Sequence, residues 1–384
     1  MIKKIFINKF LVFFILFTII SVVSYSANVT VPSLELYTRG LMQDSGFTLV
    51  TRGELDLLVD GGYKFGGRFS LGFNSKNLES DFFDRESGTI GGLTFNSASI
   101  TIRDIFNSPL SFTYFVGEND IFASGDSFDD IFGIKHFSTS YSGYIYFADK
   151  VHYYEGIHQI AGTGIKLTLK PINEKVAMNF YLYQDGYFNT DPAASSLIFE
   201  PGHFSLDYRV LFNLNNIHLE SFVGSTYPAG NIAYFRAGLL FHVAEDFGEF
   251  LIEVGIPKWS PGEDDFGRGL FFILFEARLN IGIFSFIPTI FMYPDFYLQQ
   301  PTDDSEQMDF NMKFHFSKEE AIINGGLEAN AALLDSYSEL NIKISPYIGF
   351  ITPGVLWQLK INAMILPFDI TEMFDGFISI NAQF

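Results

Sequence analysis

Between Phe47 and Asn74, apolar and polar residues alternate with a period of two. Phe47, Leu49, Thr51, Gly53, Leu55, Leu57 and Val59 share one face, and Thr48, Arg52, Glu54, Asp56 and Asp60 the other, with Val50 and Leu58 breaking the rule. Asp60-Gly61-Gly62 then reverses the chain, because glycine accepts the positive φ that a tight hairpin needs. The return limb puts Tyr63, Phe65, Gly67, Phe69, Leu71 and Phe73 on one side and Lys64, Gly66, Arg68, Ser70, Gly72 and Asn74 on the other. A period of two predicts β-strands. One face carries no charge; the other carries both signs.

The same pattern recurs to the last residue. It is as clean at 308–316, where Met308, Phe310, Met312, Phe314 and Phe316 alternate with Asp309, Asn311, Lys313 and His315. Turn signals separate the strands at Pro171–Lys175, Asn215-Asn216, Asn280 with Gly282, Ser317–Glu320 and Thr352-Pro353-Gly354. Near Ser97 the apolar residues change phase, from Leu93 and Phe95 to Ala98, Ile100 and Ile102, which calls for a β-bulge. Pro288 and Pro346 lie inside strand patterns, and each predicts a bulge or a strand end because proline lacks a ladder donor. Residues 117–159 read poorly: an acidic loop, then two weak strands near 129–136 and 141–149. The total is about 20 strands, or about 18 if 117–159 is one extracellular excursion, and both numbers are even as closed bacterial barrels require.

A soluble sandwich uses far fewer strands than this, and its apolar face would be the inside. Here plain up-and-down neighbours predict a closed transmembrane antiparallel β-barrel whose apolar face meets lipid. Ten residues at about 3.3 Å each, tilted near 40°, span roughly 25 Å, the height of an outer-membrane apolar band. The partner expected outside the barrel is therefore outer-membrane lipid.

Composition agrees. The chain of 384 residues has 46 Phe and 19 Tyr and no cysteine, so neither a disulfide framework nor lipid attachment at cysteine is expected. Residues 1–26 read as an export leader. Lys3, Lys4 and Lys9 precede an apolar run from Phe10 to Val23, and small residues allow cleavage after Ser26. Removing those three lysines takes the net charge from −20 to −20 − 3 = −23, which disfavours nucleic acid. Residues 27–384 then form a single barrel domain. Its first strand begins close to the cleavage site, leaving no room for an N-terminal plug, and no periplasmic domain is expected after Phe384.

The final residues, Phe374-Asp375-Gly376-Phe377-Ile378-Ser379-Ile380-Asn381-Ala382-Gln383-Phe384, resemble the terminal strand of bacterial outer-membrane β-barrel proteins. Alternate apolar positions and a last aromatic residue carry the likeness. The resemblance implies an outer-membrane location in a Gram-negative-type envelope and recognition of that strand by the barrel-assembly machinery. It matches no one porin family, so it assigns no functional residue.

Polar-face charges are the candidate site. Arg52, Glu54, Asp56, Lys64 and Arg68 belong to the first hairpin, and Lys166, Asp207, Arg209, Glu220, Arg236 and Glu253 follow. Glu276, Arg278, Asp309, Lys313, Glu328 and Lys343 complete the set. Such charges either neutralise one another in the wall or line a water-filled pore and set its selectivity. Folding about the first turn puts Glu54 nearly opposite Arg68. Folding about 318–319 puts Asp309 opposite Glu328, where two carboxylates would draw a cation such as Lys313 or repel each other. His218, His242 and His315 face inward near short turns as lumenal filler. Neither Asp126, Asp129 and Asp130 nor Asp303, Asp304 and Glu306 has EF-hand spacing, so no metal is expected; nor is a cofactor. No nucleophile motif points to an enzyme.

The expected function is a porin-like channel for passive diffusion of small hydrophilic solutes, with cations preferred on account of the acidic charge. Two other readings use the same barrel. One is an adhesin or structural barrel acting through the loops around 75–91, 117–159, 186–203 and 294–305. The other is a transporter for an apolar ligand, suggested by Phe115, Phe222 and Phe272 on the inward face.

Overall fold

In the computed structural model, the described residues are 28–43, 46–75, 92–141, 156–172, 174–188, 197–227, 233–262, 264–294, 296–297, 300–301, 307–316, 322–334, 339–368 and 374–382. The leader, the loop at 76–91, Asp303, Asp304, Glu306 and Phe384 lie outside them. In chain order the strands are β1 (Asn28–Gln43), β2 (Gly46–Asp60), β3 (Phe65–Ser75), β4 (Gly92–Ile102), β5 (Leu110–Phe122), β6 (His158–Ile172) and β7 (Val176–Phe188). There follow β8 (Leu197–Leu214), β9 (Ile217–Tyr227), β10 (Tyr234–Glu245), β11 (Gly248–Trp259), β12 (Phe272–Ile281) and β13 (Phe284–Tyr293). The two-residue strands β14 (Phe296–Tyr297) and β15 (Gln300–Pro301) pair only with each other. The chain closes with β16 (Gln307–Phe316), β17 (Ile323–Leu334), β18 (Glu339–Thr352), β19 (Val355–Leu366) and β20 (Phe374–Ala382).

Apart from β14 and β15, the strands form one eighteen-stranded antiparallel sheet in which each pairs with its neighbour in sequence. β20 pairs back to β1, from Leu34↔Ala382 to Gly40↔Gly376, so no edge remains and every ladder is satisfied within the ring. The lower of the two expected strand numbers is the one found. At one end the strands are joined by short connections such as 215–216, 246–247, 282–283 and 353–354; the other end carries the long ones, 76–91 and 123–157 among them.

The apolar face is outside. On β16, Phe310, Met312, Phe314 and Phe316 are 39 to 51 % exposed, whereas Asp309 and Asn311, one residue out of phase, are 1 % exposed. Outward rings pair across strands, Phe286 with Phe314 at 5.0 Å and Phe250 with Phe275 at 4.9 Å between centroids. A soluble protein would not leave such a surface bare; hydrocarbon is its natural cover.

The bulge expected near Ser97 is present one residue earlier: Ser70↔Ser97 is followed by Leu71↔Phe95, which leaves Asn96 unmatched. The prolines behave differently from expectation. Each is tolerated inside its strand, Pro288 opposite Met312 and Pro346 opposite Leu327. On the other side of each strand the ladder keeps its register, from Leu279↔Phe286 to Glu276↔Thr289 and from Ile344↔Ala363 to Tyr347↔Lys360. No strand forms at 129–136. A short helix, α1 (Asp126–Phe132), stands there instead, its first-turn Asp126 and Asp129 suited to a helix N-terminus.

Both expected charge juxtapositions shift register. Gly61 and Gly62 with two further residues make a wider turn, closed by Gly61 N–H to Phe65 O at 3.1 Å, so Glu54 meets Gly72 and Arg68 meets Leu58. The 317–322 connection is also wider than a turn at 318–319. It brings Glu328 opposite Lys313, and Asp309 opposite Ala332, so the two carboxylates never face each other.

Candidate pore constriction

The chain leaving β5 does not run outward. Residues 123–141 enter the barrel and cross it. β16 is the fourteenth strand of the ring, and 14 − 5 = 9 is half of eighteen, so the two ends of the segment lie on opposite sides of the barrel. The expected extracellular excursion is thus, over 123–141, an internal one.

Wall side chains hold the crossing at intervals. Ala123 N–H donates to Glu220 on β9 at 2.9 Å. Phe128 and Phe137 pack on His218 and His242, with the Phe137 and His242 rings parallel at 3.9 Å. Glu276 on β12 accepts from the Thr139 hydroxyl at 2.8 Å, the Ser140 hydroxyl at 2.8 Å and Ser140 N–H at 2.9 Å. Arg278 donates to Ser138 O, and Tyr141 donates to Asp309 on β16. Near the short-turn end, Lys170 Nζ reaches Ile131 O at 2.6 Å. Hydrogen bonds from neutral donors to a carboxylate are among the stronger ones.

Packing accompanies these bonds. Phe122, Phe128, Ile157, Ile160, Leu211, Phe222, Leu240 and Leu251 form one buried cluster with Phe115, Phe272 and Phe291. Gly238 makes the close approach possible, since a Cβ there would lie 2.5 Å from the Phe222 ring. Phe115, Phe222 and Phe272 do face inward, but their rings lie against Tyr183, Phe122 and Phe291 and fill space.

Between the crossing and the β2–β5 wall lies a small polar cavity that opens to solvent. Glu54 and Asp56 of β2, Glu118 and Asp120 of β5, and Asp126 and Asp130 of the crossing line it, against Arg68 of β3 as the lining cation. Asp56 is paired to Arg68 at 2.6 Å, and Asp120 to Lys166 at 2.6 Å. Asp126 lies 3.3 Å from His136. Glu54 is held by neutral donors, Ser70 at 2.8 Å and Asn96 at 3.2 Å. Enclosure by the barrel raises the Asp126 and Asp130 carboxyls above the usual carboxylate range; beside Asp126, His136 pulls the other way.

Apart from Lys64, the remaining expected charges are inward and mostly paired with one another. Arg236 donates to Asp207 at 2.6 Å, and Arg209 stands 3.6 Å from both Asp120 and Glu220. Arg278 bridges Glu276 at 2.9 Å and Glu249 at 3.4 Å. Glu328 takes Lys313 at 3.3 Å together with Lys360. Glu253 is buried, and Arg52 and Lys343 are half-buried; Lys64, against expectation, is exposed within the β2–β3 turn and not on a strand's lumen face. His315 hydrogen-bonds Tyr347 at 2.8 Å, filling the wall as expected. Tyr141, Thr139, Ser140 and Lys360 were not foreseen. The signal for the crossing was nevertheless present: apolar residues such as Leu211, Phe222, Leu240, Leu251 and Phe291 occupy lumen-facing positions of β8–β13, where water alone would not favour them.

The architecture is that of a closed up-and-down barrel with an apolar exterior and an inward crossing segment. No protein-family model matches the chain, and no curated protein matches it. Solved structures to which the chain is similar include variants of the Rh. blastica porin. One has 10 % identity and a TM-score of 0.47, covering 93 % of this chain and 100 % of that one. Another has 9 % identity and a TM-score of 0.48 at the same coverage. A triple variant of the Rhodopseudomonas blastica porin has 9 % identity and a TM-score of 0.45, again covering 93 % and 100 %. A likeness at this level identifies neither solute nor selectivity.

Proposed function

We propose that the protein is an outer-membrane channel for passive diffusion of small hydrophilic solutes, constricted by residues 123–141 and preferring cations. The observation that carries this reading is the composition of the cavity beside the crossing: six carboxyl groups and one guanidinium line it. Arg68 is matched to Asp56 and Lys166 to Asp120, and the lining still holds more carboxyl groups than cations. A negative, low-dielectric passage concentrates cations and repels anions. The apolar exterior supports the membrane location, and the amino-terminal leader expected from sequence would direct export.

Planar-bilayer recording of the refolded protein under a salt gradient tests both parts. The expected result is a stable conductance whose reversal potential has the sign of cation preference. Absence of conductance would sink the channel; a potential of the anion sign would sink the role given to the acidic cavity.

A further inference from the structure

We propose that the packing of Phe137 and Phe128 on His218 and His242 is an acid-operated latch: protonation of the two imidazoles frees the crossing segment from the wall. This concerns regulation of the same constriction and so rests on the channel reading for its consequence, though not for its detection.

His218 and His242 are direct cross-strand partners on β9 and β10, and their rings lie nearly parallel, 5.4 Å apart. Phe137 from the crossing lies on both, 3.9 Å from His242 and 5.3 Å from His218, while Phe128 adds a contact to His218 at 5.4 Å. Both histidines are buried. Neither His218 Nδ1 nor either nitrogen of His242 has a hydrogen-bond partner among the described residues. Neutral imidazoles suit such a stack. An exposed imidazole changes charge between about pH 5 and pH 8, and burial disfavours the charged form, so the trigger is acid stronger than an exposed imidazole would need.

Charges facing the stack come from every element around it. β11 offers Glu249, whose carboxylate is 3.7 Å from His242 Nε2, and β12 offers Arg278, 3.4 Å from Glu249 and already engaging it. On β9, Glu220 is committed to Ala123 N–H and Arg209. Glu276 of β12 is occupied by Thr139, Ser140 and Arg278. The crossing itself brings Lys135, which interacts with Glu249, and the His136–Asp126 pair. One protonated ring over a phenyl face with one shared carboxylate can be accommodated. Two protonated rings side by side, beneath two phenyl groups and near two further cations, cannot be solvated while the segment stays docked. The other wall anchors, Glu220, Glu276 and Asp309, are carboxylate acceptors, so acid does not strengthen them.

Amide hydrogen exchange of the refolded full chain in lipid nanodiscs, corrected for intrinsic pH dependence and referenced to β18, reports docking without requiring conductance. Between about pH 7.5 and about pH 4, exchange over 123–141 is expected to rise about tenfold, with single-channel conductance rising over the same range. The variant H218F/H242F keeps the rings but not the charge, and is expected to lose both responses. The single variants H218F and H242F, each expected to blunt the response, stand in if the double variant does not fold. Wild-type exchange that is flat with pH, or a variant that follows wild type, overturns the latch. A wild type that never conducts but still shows the exchange response would reject the channel and leave the latch intact.

Discussion

Cut along the line from β5 to β16, the ring has two unlike interiors. In β6–β13 the lumen face alternates buried ion pairs with aromatic and aliphatic side chains: Arg209, Asp207, Glu220 and Glu276 share it with Phe222, Leu240, Phe272 and Phe291, all at or below 2 % exposure. In β1–β3 the corresponding positions are Glu35, Arg39, Arg52, Glu54 and Arg68, which are half-buried or exposed. The difference tells which wall the crossing segment leans on. In β6–β13 the ions are cross-links in a packed interior, whereas in β2–β5 they border a cavity.

The contrast can be broken most severely in the packed half. Asp207→Ala would strand the Arg236 guanidinium in a dry site, and a loss of about 3–5 kcal/mol in urea unfolding is expected. Glu54→Gln, on the cavity side, should change stability by no more than about 0.5 kcal/mol, so similar losses for the two would erase the distinction. Next in size is the docking of the segment. Glu276→Ala removes the acceptor for Thr139, Ser140 and Arg278, and should weaken docking by about 2–3 kcal/mol while leaving the barrel folded. Faster exchange over 123–141, with unchanged heat-resistant migration in gels, would show it.

Selectivity comes third. Replacing both Asp126 and Asp130 by asparagine should lower the cation-over-anion permeability ratio by a few-fold, roughly 0.5–1 kcal/mol. An unchanged reversal potential would move the selectivity elsewhere. The smallest effect is the pH dependence of that ratio. Because enclosure raises both carboxyls, they neutralise at a higher pH than surface carboxylates. Cation preference should therefore begin to fall above the usual carboxylate range as pH is lowered, and the asparagine variant should lack that part of the titration.

Much of the barrel was legible in the chain, because its logic is local. Alternation in 308–316 predicts both the strand and its lipid face, and the Asn215-Asn216 and Thr352–Gly354 signals sit where the chain turns. Registers were harder, since a turn two to four residues wider moves every partner: Glu328 belongs to Lys313 and Lys360 for that reason. The crossing was not legible at all from its own residues. Its helix is too short to show a period, and its partners lie 97, 137 and 168 positions further on, at Glu220, Glu276 and Asp309. Only the misplaced apolar residues on the far wall betrayed it.

The placement of the two ends of residues 123–141 on opposite sides of the barrel also orders events during biogenesis. The segment is made early, but Tyr141 has no Asp309 to meet until fourteen strands stand in place. Long-range closures of this kind form late because the intervening chain must be organised first. Docking of the segment is therefore completed only once β16 has joined the wall.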